Sequence, residues 1–113
     1  MKVDYFMALW TDDLIDPKRE FIPVGVIVRD QVDVVVKLYD AVPQSYIPND
    51  GLSKMIFENL EVICKDVRAS SHNPTNLYFV KADFNSKEAD LLQKADSFYK
   101  EVIESFYETF NDS

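Results

Sequence analysis

Glycine, cysteine and histidine are all scarce here: two glycines, one cysteine and one histidine in 113 residues. With only Gly25 and Gly51 available, tight left-handed turns must be few. A single cysteine, Cys64, excludes an internal disulfide and suits a reducing compartment. A single histidine, His72, excludes multi-histidine metal sites and leaves a Cys/His cluster short of ligands. No glycine-rich phosphate loop, P-loop lysine or nucleophile elbow is present, so the common enzyme signatures are missing. No stretch approaches the roughly 18 apolar residues that a membrane-spanning helix needs. The opening Met1-Lys2-Val3-Asp4 meets an acid too early for a signal peptide. These absences make a cytoplasmic protein without cofactor or metal the expectation.

Positive charge is also in short supply, with 12 Lys and Arg against 20 Asp and Glu and a formal charge of −8. That balance opposes direct binding to nucleic acid or to an anionic membrane, because phosphate recognition needs clustered bases. Lys18-Arg19 and Arg29 are too few and too interrupted to form such a cluster. A basic protein partner remains compatible with the charge.

What the chain does have is apolar and aromatic residues, 47% and 13% of the total, enough for a globular core. Its length suits one domain spanning 1–113. Val3–Trp10 reads as a strand with both faces largely apolar, a central position. Thr11–Glu20 is a polar connection too long for a tight hairpin. Phe21–Arg29 is a second strand, with Pro23 and Gly25 marking a bulge or an unpaired edge near its start. Asp30-Gln31 gives hairpin spacing to a third strand, Val32–Tyr39, whose Val32, Val34, Val36 and Leu38 share one face.

Asp40–Asn49, with Pro43 and Pro48, is an irregular connection. Asp50 can cap a helix from Gly51 to about Ala69, whose stripe is Leu52, Met55, Ile56, Leu60, Ile63 and Val67. Ser70–Asn76 breaks it at Pro74, and Leu77 to about Asp83 forms the fourth strand. Asn85, with Glu88 three residues on, resembles a capping box for one long last helix reaching Phe110. The expected fold is α+β: a two-layer sandwich of order β-β-β-α-β-α. It has a four-stranded, mostly antiparallel sheet and two helices on one face.

Few residues point to chemistry. Asp12, Asp13, Asp16 and Glu20 form an acid cluster of the kind that hard cations use, but the spacing matches no EF-hand loop. Lys18 and Arg19 sit beside them, so a solvated loop is the simpler reading. A Cys64–His72 dyad is conceivable, yet Cys64 flanks an apolar stripe where cysteine acts as a small hydrophobe. Trp10, Phe21 and Tyr39 could line an aromatic pocket, although strand aromatics are more often core or cross-strand pairs.

The segment Tyr5–Trp10, a charged connection, and then Glu20-Phe21-Ile22-Pro23-Val24-Gly25-Val26 resembles a small bacterial domain family of unknown function. That family opens with a strand, a short charged loop and a Glu-Phe-x-x-(Val/Ile)-Gly-Val motif, with Asn usual where Pro23 stands here. The resemblance covers about the first 40 residues. It implies an α+β domain and assigns no activity or site residue.

The last helix is where a function is expected. A helix over Asn85–Phe110 would be about 39 Å long, against about 34 Å for a domain of this length and about 26 Å for an eight-residue strand. Its final turns should overhang the sheet and expose Phe106, Tyr107 and Phe110, which with Tyr99, Glu104 and Glu108 make the expected interface. Self-association through this helix or the third strand, as a homodimer, is one expectation. The other is imitation of nucleic-acid charge by Asp90, Glu101, Glu104, Glu108 and Asp112 toward a basic protein, although Lys87, Lys94 and Lys100 interrupt the row.

Overall fold

The computed structural model describes residues 2–11, 21–48, 51–66 and 77–111. Four strands form one sheet in the order β3-β2-β1-β4: β1 (Asp4–Trp10), β2 (Ile22–Arg29), β3 (Val34–Leu38) and β4 (Leu77–Ala82). All three pairings are antiparallel. The α+β architecture is therefore the one read from the sequence. β1 and β2 occupy the centre because both of their faces are apolar, and β2 is buried from Ile22 to Val28. The third strand is an edge, as its one-sided pattern implies, and β4 is the other edge.

A bulge interrupts the β1–β2 ladder where Ala8 pairs with Gly25 but Leu9 pairs with Pro23, leaving Val24 as the extra residue. Proline can sit there because it owes the ladder no donor. The β2–β3 connection is longer than Asp30-Gln31. The Asp30 carboxylate accepts the N–H groups of Val32 and Asp33, both at 2.7 Å, so the turn runs through Asp33 and β3 starts at Val34.

The helices do not share one face. Tyr5 packs edge-on to Phe98 at 5.1 Å, whereas Trp10 packs on Phe57 at 5.3 Å. Tyr5 and Trp10 lie on opposite sides of the regular β1 pleat. α1 (Gly51–Glu58) and the 3-10 turn Gln44–Tyr46 therefore lie on the Trp10 face, where the indole N–H donates to the Tyr46 carbonyl at 2.9 Å. α3 (Leu91–Tyr99) lies on the Tyr5 face. The expectation of both helices on one side fails because β1 and β2 present apolar residues on both faces, and each face needs a cover.

Two helices differ in detail. The first breaks at Asn59, giving α1 and then α2 (Leu60–Lys65), which lies against β3. Its expected end, 67–69, lies outside the described residues. The last begins at Leu91, six residues after Asn85. Ser86 diverts the chain: its N–H donates to the Tyr5 hydroxyl at 3.3 Å, and its own hydroxyl accepts the Glu88 N–H at 3.1 Å. Asp90 is the true cap, accepting the Leu92 N–H at 3.2 Å.

Candidate interaction surface

The C-terminal helical segment is α3, a π-helical turn over Lys100–Glu104, and α4 (Ser105–Asn111). Its buried residues are Ala95, Phe98, Ile103 and Tyr107. The five-residue step from Phe98 to Ile103 is the π turn, which inserts one residue and rotates the rest of the segment by about 100° relative to an uninterrupted α-helix. That rotation makes Ile103 and Tyr107 face the sheet and leaves Val102 and Phe106 half-buried beside them.

Tyr107 does not belong to an exposed overhang. It is 4% exposed, stacks on Tyr39 with ring centroids 3.9 Å apart, and donates its hydroxyl to the Pro23 carbonyl at 2.7 Å. Burial raises its pKa above the ordinary tyrosine range, and Tyr39, Tyr46 and Tyr99 add to the shift. Tyr107 therefore lies over the Tyr39 ring and the bulge of β2. Phe106 meets Tyr107 edge-on at 4.9 Å. The side chain of Phe110 lies outside the described residues.

Tyr99 is half-buried next to β3, with the Lys37 ammonium 5.4 Å from its ring centre and Lys37 also paired to Asp96. Burial raises the Tyr99 pKa first, and Asp40, Tyr39 and Glu104 raise it further. Glu104 and Asp40 are therefore neighbours of Tyr99 on the β3 side. Glu101, Glu104 and Glu108 are exposed and recur at three- and four-residue steps.

The expected aromatic and acidic residues thus separate into two flanks. Phe106 and Glu108 sit on either side of Tyr107, each about 100° around the helix axis from it. The helical segment packs mainly on β2 and β3, and on β1 it covers Tyr5 through Phe98, which leaves the far end of β1 and β4 less covered. There the cross-strand pairs Met7–Val80 and Leu9–Tyr78 present an apolar ledge. Met7, Leu9 and Val80 are half-buried, while Tyr78 is 44% exposed and meets Phe21, itself 39% exposed, at 6.2 Å. The ledge is not legible in the sequence, because alternation identifies which residues share a face but not how far a helix covers it.

The other candidate residues do not converge. Trp10 packs on Phe57, Phe21 on Tyr78 and Tyr39 on Tyr107, so the three form no common pocket. Cys64 is fully buried, and burial pushes its thiol up to about 12, far from a reactive thiolate at neutral pH. His72, the acids from Asp12 to Glu20, and Asp112 lie outside the described residues. Asp90 is occupied as a helix cap. Among the described residues no group of three or more His, Cys, Asp or Glu is placed to hold a metal ion, and no helix is long and apolar enough to cross a membrane. The chain matches no family model, no curated protein and no solved structure.

Proposed function

We propose that this chain is a non-enzymatic protein-interaction module that self-associates through the apolar ledge formed by Met7, Leu9, Val80, Tyr78 and Phe21. One observation carries the reading: two large aromatics, Tyr78 and Phe21, stand exposed beside Met7, Leu9 and Val80 on a sheet face whose other half is covered by a helix. Clusters of this kind mark interfaces, and aromatic residues dominate the energetics of such contacts. The single, buried Cys64 supports a reducing, cytoplasmic setting.

Multi-angle light scattering tests this. The native chain should run as a dimer, and Phe21→Ser with Tyr78→Ser should yield a folded monomer with its thermal transition retained. A native chain that stays monomeric at every concentration removes the proposal.

A second reading rests on a separate observation, the exposed row Glu101, Glu104 and Glu108 without a base beyond Lys100. This row supports an acidic inhibitor that imitates nucleic-acid charge toward a basic nucleic-acid-processing protein. It requires salt-sensitive binding that Glu104→Lys with Glu108→Lys weakens. Binding indifferent to both changes excludes this surface.

A further inference from the structure

We propose that the cleft between the start of β1, the Asp30 turn and the first turn of α3 binds a small zwitterion, an α-amino acid with an apolar side chain. The cleft measures about 490 Å³ and is lined by Val3, Tyr5, Phe84 and Leu91 together with the polar Asp30, Asn85 and Lys94. That volume lies within the range of small-ligand sites. It occupies the opposite end of the sheet from Tyr78 and Phe21, so this site stands or falls separately from the self-association surface.

Its floor is aromatic. Tyr5 and Phe84 line it with ring centroids 5.1 Å apart, and both pack on the buried Phe98 behind them, at 5.1 and 5.0 Å. Around this floor the polar groups keep unused capacity. The Tyr5 hydroxyl, on a residue 3% exposed, accepts the Ser86 N–H, while its own proton has no acceptor among the described residues. Lys94 donates one of its protons to the Ser86 carbonyl at 3.1 Å and pairs with no carboxylate among the described residues. The Asn85 amide makes no hydrogen bond among the described residues.

Asp30 lines the same cleft. One of its oxygens accepts two backbone N–H groups, which hold the carboxyl below its usual range. Its second oxygen has no partner among the described residues. Three donors and one carboxylate thus surround an apolar floor. A simple anion would satisfy Lys94 but face Asp30, and a simple cation would do the reverse. A zwitterion satisfies both, its carboxylate on Lys94, Tyr5 and Asn85, its ammonium on Asp30, and its side chain against Val3, Phe84 and Leu91.

The test titrates the full chain with L-leucine, isocaproate and isoamylamine while following backbone amide resonances. Leucine should produce saturable shifts at Asp33, Asn85, Ala89 and Leu91. Isocaproate lacks the ammonium and isoamylamine lacks the carboxylate, so each should bind at least about tenfold more weakly. Lys94→Met and Asp30→Asn should each weaken leucine binding similarly, and the analogue series on the native chain keeps the test independent of how those variants fold. Absence of saturable shifts with leucine up to on the order of 10 mM overturns the proposal. So does isocaproate binding as tightly as leucine, which would reveal a plain anion site.

Discussion

Tyr107 stacks on Tyr39 with ring planes 16° from parallel, while its hydroxyl reaches across to the Pro23 carbonyl at 2.7 Å. One side chain thus ties the first turn of α4 both to the residue just past β3 and to the bulge of β2. The bulge leaves Val24 as the extra residue and brings Pro23 opposite Leu9, and the Pro23 carbonyl accepts from the Tyr107 side chain.

Tyr107→Phe keeps the stack but leaves the buried Pro23 carbonyl without that donor, so it should cost about 1–2 kcal/mol. Tyr107→Ala removes the ring as well and should cost about 3–5 kcal/mol. Urea unfolding measures both, and equal losses for the two variants would show that the stack contributes nothing.

The same hydroxyl makes stability fall at alkaline pH. Burial raises the Tyr107 pKa above the ordinary value of 10.0, so the folded chain retains a proton that the unfolded chain releases. Its contribution is complete below pH 10.0 and is lost as pH rises toward the folded pKa. Tyr99 shifts in the same direction. Denaturation midpoints should therefore decline above that pH, and Tyr107→Phe should flatten the decline.

The π turn gives an unusual prediction about insertions and deletions. Deleting Glu101 turns the five-residue step from Phe98 to Ile103 into four, so a regular α-helix would still present Phe98, Ile103 and Tyr107 on one stripe. The deletion should keep the fold, with a stability change within about 1 kcal/mol. Inserting alanine between Ser105 and Phe106 instead swings Tyr107 away from Tyr39 by about 100° and should cost about 3–5 kcal/mol. Chemical denaturation of both variants checks this, and equal damage would mean that the π turn does not set the register.

Gly25 offers a further probe. A Cβ built there would lie 2.7 Å from Leu38 Cδ2 and 3.0 Å from the Lys37 carbonyl oxygen. The leucine tip can rotate, but the backbone of β3 cannot move without disturbing the ladder. Gly25→Ala should therefore cost about 1–3 kcal/mol, read as a lowered unfolding midpoint. An unchanged midpoint would show that β3 shifts freely as an edge.

Much of the strand layout is legible in the sequence because alternation is a local property. Val3–Trp10 and Phe21–Arg29 are apolar on both faces and form the two central strands. The consequence of that pattern, a helix on each face, is equally present in those residues. The start of the last helix is also legible: Asp90 followed by Gln93 is a capping-box spacing directly before the apolar run, and it competes with Asn85 and Glu88. What settles the competition is Ser86, held by the hydroxyl of Tyr5 from a strand far away in sequence.

The sequence by itself determined that the last segment is an amphipathic helix with an acid row on one side, because period and charge are written into neighbouring residues. It could not determine which aromatic is buried. Val102-Ile103 and Phe106-Tyr107 are apolar doublets, so either register offers the sheet a greasy stripe. Only the tertiary structure chose, through a π turn that aims Ile103 and Tyr107 inward to meet the Tyr39 ring and the Pro23 carbonyl. The physical reason is that a hydroxyl requires a buried acceptor within hydrogen-bond reach, and that acceptor exists only once β2 has bulged and paired.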